Sequence, residues 1–133
     1  MDKKKVINTS LAPEASGPYS QAVSLQSPQR LVFVSGQLPI DLETGKLAIE
    51  DIGAMTRRLL KSIEVILKEA GASLEDVVRV DIFCKELKRD FAEINKEYAL
   101  HFTGAVKPAR QTVEVACLPL GSPLEISCIA AIP

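Results

Sequence analysis

Residues 51–83, DIGAMTRRLLKSIEVILKEAGASLEDVVRVDIF, decide the fold class because they set a long amphipathic helix directly before a strand. From Ile52 the apolar positions Met55, Leu59, Ile63, Ile66 and Ala70 recur at steps of three or four, with Arg57, Arg58, Lys61, Glu64 and Lys68 between them. That spacing predicts a helix of about five turns over residues 52–70. Asp51 stands where an N-cap side chain accepts from a free amide. Gly71 follows the last apolar position, where a left-handed residue commonly closes a helix. Residues 77–83 then read as a strand, with Val78, Val80 and Ile82 alternating against Arg79 and Asp81.

Upstream, residues 31–35 (LVFVS) form a β-rich run between Pro28 and Gly36, and residues 19–25 are expected to pair with it as a hairpin across QSPQR. Glu43, Thr44 and Gly45 make a further turn. Downstream, a second helix is expected over residues 91–102, with Ile94 and Tyr98 on one stripe and Asp90 and Glu93 at capping-box spacing. Residues 111–117 and 124–132 read as strands joined by residues 118–123, whose Pro119, Gly121 and Pro123 suit a turn. The order β-β-α-β-α-β-β predicts one α+β domain over residues 1–133, a mixed β-sheet with two helices packed on one face. The opposite face is then either wet or buried against another copy.

Composition narrows the function classes. Sixteen Lys and Arg against seventeen Asp and Glu give a net charge of -1, so no global positive field exists to hold nucleic acid, which is not expected as a partner. Cys84, Cys117 and Cys128 form no CxxC pair, and their odd number argues against a disulfide framework and for a reducing compartment. Asn8, Thr9, Ser10, Pro13 and Glu14 fall where a signal peptide carries its apolar run, and no apolar stretch approaches the roughly 20 residues of a membrane span. A soluble, cytoplasmic protein without a membrane partner is expected. His101 is the only histidine, so a metal site built on histidines is excluded, and the residue is expected on the helix surface. The three cysteines are expected in strands as small buried hydrophobes, and Lys3–Lys5 and the Arg57, Arg58, Lys61 cluster as solvated faces.

Strand alternation singles out one group of residues. If Val113, Val115 and Cys117 meet the helices, Arg110, Thr112 and Glu114 point away from them. The same parity buries Leu124, Ile126 and Cys128 and turns Glu125 and Ser127 outward, so Arg110, Thr112, Glu125 and Ser127 converge on the far face unless a β-bulge intervenes. An arginine, a carboxylate and a hydroxyl on such a face read either as a structural salt bridge or as a small-anion site, since a guanidinium fork fits a carboxylate bidentately. The pattern leaves both readings open.

Three motifs in order carry a family resemblance. Pro108-Ala109-Arg110-Gln111-Thr112-Val113-Glu114-Val115-Ala116, with Leu118-Pro119 and Leu124-Glu125-Ile126 after it, resembles the C-terminal signature of the RidA (YjgF/L-PSP) family. Gly17-Pro18-Tyr19-Ser20-Gln21-Ala22 is similar to the family's GPYxQ(A/G) motif, and Val34-Ser35-Gly36-Gln37-Leu38-Pro39 to its SGQ(I/L)P motif. The resemblance runs from about Ile7 to Ala131. It implies a chorismate-mutase-like fold assembled as a homotrimer with clefts between subunits, and an enamine/imine deaminase needing no metal or other cofactor.

By the same resemblance, Arg110 binds the substrate carboxylate and Glu125 orients or activates the attacking water. Tyr19 lines the cleft, and Ser35, Gly36 and Asn95 surround the pocket. Thr112 stands where the family often has cysteine, and its hydroxyl is expected to hold the water or the imine nitrogen. Ser127 replaces a common acidic residue, the loop 103–107 is shorter than in many relatives, and Lys107 stands where an aromatic is frequent, departures that bear on substrate size. The expected substrates are 2-imino acids such as 2-iminopropanoate and 2-iminobutanoate, hydrolysed to 2-oxo acids and ammonia. A non-catalytic 2-oxo acid binding module is the alternative, and an endoribonuclease or translation inhibitor the more distant one, disfavoured by the net charge and the single histidine.

Overall fold

The structure is a computed structural model that describes residues 4–27 and 30–132. The chain forms β1 (Lys4–Ile7), β2 (Ala22–Leu25), β3 (Arg30–Gln37), α1 (Ile52–Glu69), β4 (Val77–Cys84), α2 (Leu87–His101), β5 (Ala109–Glu114) and β6 (Leu124–Ile132). Four strands build one mixed sheet in the order β3-β6-β4-β5, in which only β4 and β5 are parallel. Both helices pack on one face of it. Their crossover connections carry the chain from β3 to β4 and from β4 to β5, as a parallel pair requires. Among the described residues no helix is long and apolar enough to cross a membrane.

α1 begins and ends as its sequence dictates. Asp51 Oδ1 accepts from the Ala54 amide at 2.9 Å, and at the other end Gly71 takes φ +80° while Ala72 N donates to Leu67 O at 2.8 Å and Gly71 N to Lys68 O at 3.0 Å. This is a Schellman closure, which needs a residue at ease in the left-handed region. Leu59, Leu60, Ile63 and Leu67 of α1 and Ile94 and Tyr98 of α2 are fully buried over Val80, Ile82, Leu124 and Ile126 of the sheet. Each such side chain contributes about 1.5–3 kcal/mol. The stripe ends on Leu67, whereas Ile66 is 38% exposed, because the buried face follows steps of four along residues 55, 59, 63 and 67.

Several expectations are corrected. The hairpin between residues 19–25 and 31–35 does not form: β2 pairs with β1, a strand the lysine-rich N-terminus concealed, and β3 pairs with β6. Pro28 of the expected turn lies outside the described residues, as does Lys3. Lys4 is not a solvated charge, since its Nζ donates to Val77 O at 3.0 Å and burial lowers its pKa. In β4 the register slips between Val77 and Arg79, so Val77 replaces Val78 on the buried face. α2 starts one turn before the expected Asp90–Glu93 capping box. Asp90 instead sits buried in the first turn against Arg89, and Leu87 N donates to Glu114 Oε1 of β5 at 3.0 Å. Arg57 keeps the solvated face expected of it, 63% exposed, while reaching the buried Glu97 at 2.6 Å and so tying α1 to α2. His101, expected on the helix surface, is only 20% exposed and meets the same carboxylate within α2 at 3.2 Å. Arg58 and Lys61 pair with Glu50 and Glu64. Cys84 and Cys128 are buried as expected, but Cys117 is exposed beyond the end of β5, because Val115 N closes the last rung on Cys84 O.

Candidate functional site

Arg110 is placed by β5 and gripped by α2. The parallel register sets Arg110 beside Val80, Thr112 beside Ile82 and Glu114 beside Cys84, all on the face beneath the helices. The expected parity is therefore reversed in β5: Arg110 and Thr112 face the helices, and Val113 is 37% exposed on the other side. In β6 the parity holds, with Leu124, Ile126 and Cys128 buried and Glu125 turned away from the helices beside Phe83. Arg110 and Glu125 thus occupy opposite faces of one sheet, on strands separated by β4. The convergence expected from sequence does not occur within one chain.

Two half-sites result. In the first, Arg110 Nη1 donates to Asn95 Oδ1 of α2 at 2.7 Å. The guanidinium carbon stands over two aromatic rings, 4.8 Å from the Tyr98 centroid and 5.6 Å from that of Tyr19. Burial pulls the Arg110 pKa down from its ordinary value, which leaves a guanidinium charged but short of solvent. Its Nε is enclosed and finds no partner among the described residues, and the same holds for the Thr112 hydroxyl two residues along. Tyr19 arrives through the loop before β2. Ser20 N donates to Pro108 O at 3.2 Å and the Ser20 hydroxyl to Lys107 O, so the GPYS and PAR segments are stitched together. A Cβ on Gly17 would stand 3.1 Å from the Tyr19 ring and 3.8 Å from Arg110 Nη2. The Ser16 hydroxyl and amide at the Tyr19 oxygen lower that phenol's pKa.

The second half-site lies at the bulge between β3 and β6, where Ser35 and Gly36 together oppose Ser127. Both are exposed. A Cβ on Gly36 would stand 2.7 Å from Glu125 Cδ and Oε1, so only glycine lets this carboxylate lie against the β3 backbone. The Glu125, Phe83 and Val113 side chains form one row across this face, and Phe33 adds a side chain 70% exposed.

Of the residues expected at the site, Tyr19, Asn95, Arg110 and Thr112 come together, and so do Ser35, Gly36 and Glu125, but the two groups do not meet. Tyr98, read from its sequence as a core position alone, joins the first group. Its spacing of one helical turn from Asn95 was the available signal. Gln21, part of the GPYSQA motif but given no role by its sequence, belongs beside them. Its side chain accepts from Thr9 N at 2.8 Å and donates to Pro13 O at 2.7 Å, fastening the loop that leads into Tyr19. Among the described residues no group of three His, Cys, Asp or Glu is placed to hold a metal ion.

The family profile described as Endoribonuclease L-PSP matches residues 9–132. A RutC family protein of Pyrococcus abyssi is 47% identical over 127 residues, 96% of this chain and 96% of its own length. A 2-iminobutanoate/2-iminopropanoate deaminase of Salmonella typhimurium is 44% identical over 128 residues, 95% of this chain and 96% of its own. Among solved structures, E. coli TdcF with bound serine is 39% identical and superimposes with a TM-score of 0.72, covering 97% of this chain and 99% of that one.

Proposed function

The chain belongs to the Endoribonuclease L-PSP family, and from that premise we propose that it is an enamine/imine deaminase that hydrolyses 2-imino acids to 2-oxo acids and ammonia. The observation that carries this reading is the half-buried Arg110 guanidinium, held at one nitrogen by Asn95 and backed by aromatic rings, with no carboxylate among its partners in the described residues. A structural salt bridge would place a carboxylate there. A desolvated guanidinium fork with open donors suits the carboxylate of a small substrate. The serine bound to TdcF carries such a carboxylate next to a nitrogen-bearing carbon.

The chemistry follows from orientation. The Arg110 fork fixes the carboxylate, which sets the adjacent imine carbon, already electrophilic, in one position. Glu125 takes a proton from water as the water oxygen bonds to that carbon and hands it to the imine nitrogen, giving an amino-alcohol. Glu125 then takes the proton of the new hydroxyl, whose O–H electron pair closes the C=O bond, and delivers it to the nitrogen as the C–N bond breaks, leaving the 2-oxo acid and ammonia. The Thr112 hydroxyl is assigned to the imine nitrogen. Tyr19, Ser35 and Gly36 wall the cleft, and no cofactor enters these steps.

Because Arg110 and Glu125 lie on opposite faces of the sheet, one subunit cannot bring both to one substrate. We therefore place the reaction between copies in a homotrimer, with Arg110, Asn95 and Tyr19 from one subunit and Glu125, Ser35 and Gly36 from its neighbour. The apolar far face, with Phe33, Leu31 and Val113 exposed, supports burial against a second copy. The test is an amino-acid oxidase reaction that generates 2-iminopropanoate or 2-iminobutanoate. Adding the purified protein is expected to remove the imine absorbance faster than buffer does. An unchanged decay overturns the deaminase reading and leaves the binding module.

A further inference from the structure

Among the described residues the Tyr98 hydroxyl has no hydrogen-bond partner although the side chain is completely buried. An enclosed phenol without a partner is costly, and a phenylalanine would pack there without that cost. Two contacts of the ring are fixed by geometry. On one side it stacks on Phe102, with centroids 4.4 Å apart and planes at 24°. On the other it lies 4.8 Å from the Arg110 guanidinium carbon, nearer than the Tyr19 ring.

Asn95 and Tyr98 sit one turn apart on α2, so a single helix face gives Arg110 both a hydrogen bond in the plane of its fork and a π face above it. One hydrogen bond leaves a guanidinium free to swing about the bonded nitrogen. A ring face beneath the carbon removes that swing. We propose that Tyr98 is a positioning residue for Arg110, acting through the cation–π contact of its ring, with Phe102 holding that ring in place. This rests on the reading of Arg110 as the carboxylate clamp. Tyr98 does not touch substrate. It sets the direction in which the open donors of the fork point and holds the cation in a site short of water.

The test uses the full-length assembled protein and measures binding of 2-oxobutanoate by calorimetry beside imine hydrolysis. Tyr98→Leu is expected to weaken binding and raise KM by about 5- to 30-fold, which is about 1 to 2 kcal/mol at 1.4 kcal/mol per tenfold, with a smaller change in kcat. Tyr98→Phe keeps the ring face and is expected to bind within about twofold of wild type. Phe102→Leu opens a comparable hole in the same aromatic pair but leaves the Tyr98 ring face on Arg110, so it is expected to weaken binding less than Tyr98→Leu, whereas a purely structural role predicts equal losses in the two. Replacement of Tyr98 by phenylalanines of increasing ring fluorination, which drain the π face at nearly constant shape, is expected to weaken binding step by step. That series decides the matter even if Tyr98→Leu does not fold. Wild-type binding combined with a flat fluorination series overturns the inference while leaving the deaminase reading intact. A wild-type protein that binds no 2-oxo acid overturns both.

Discussion

Gly36→Ala separates the placement of Glu125 from the stability of the fold. A Cβ at residue 36 would stand 2.7 Å from Glu125 Cδ and Oε1 and 3.0 Å from Cγ. Restoring an ordinary carbon separation of about 3.5 Å requires the carboxylate to move by about 0.8 Å. What must move is the end of a flexible side chain, and Gly36 itself is exposed in a bulge. The fold accommodates the change, so the melting temperature and oligomeric state are expected to stay near wild type. A displacement of about 1 Å in a reacting group costs on the order of 100-fold in rate. The expected outcome is a kcat for 2-imino acid hydrolysis lowered by about that factor, with 2-oxobutanoate binding at the Arg110 half-site retained. A folded Gly36→Ala protein that turns over at the wild-type rate would refute the assignment of Glu125 to the water.

Three further outcomes are expected. Arg110→Ala should abolish 2-oxo acid binding and hydrolysis together, by roughly 30-fold to several thousand-fold, and Arg110→Lys, which keeps the charge but not the fork, should restore only part; calorimetry and the imine assay read both. Thr112→Val removes an enclosed, unpartnered hydroxyl at constant shape, so thermal stability should hold or rise by about 1 kcal/mol while turnover falls, and unchanged turnover would take Thr112 out of the chemistry. Burial raises the Cys84 pKa and pushes that of Cys128 up to about 12, so both remain thiols at neutral pH, whereas Cys117 is exposed. Alkylation of the native protein followed by mass mapping should find Cys117 modified and the other two only after unfolding.

The sequence was most legible where one face of an element is wet. α1 shows its polar stripe, its Asp51 cap and its Gly71 stop in the letters alone, and β6 shows its buried face through Leu124, Ile126 and Cys128. β5 was misread for the opposite reason. Its two faces are Arg110, Thr112 and Glu114 against Val113 and Val115, and the apolar set was assigned to the helices. Yet the buried side takes the arginine, because Asn95 and Tyr98 of α2 satisfy it there, and the valine side turns to the face with Phe33 and Phe83. When both faces of a strand have a partner, alternation gives the period but not the direction. The hairpin failed on a similar ambiguity, since Ala22–Leu25 pairs equally well by pattern with any exposed edge, and β1 lay hidden among lysines. The motifs single out residues but not their placement, and only the three-dimensional register shows that Arg110 and Glu125 fall on opposite faces of the sheet.

Complementation between inactive subunits tests that division most directly. Arg110→Ala and Glu125→Gln chains are each expected to be inactive as pure assemblies. Unfolded together in equal amounts and refolded, they should form mixed trimers in which about one quarter of the clefts combine an intact Arg110 from one subunit with an intact Glu125 from the next. Recovery of about a quarter of wild-type deaminase activity is the expected result. A mixture that assembles fully and stays as inactive as its parents would show that both residues must come from one subunit, contradicting the site proposed between copies.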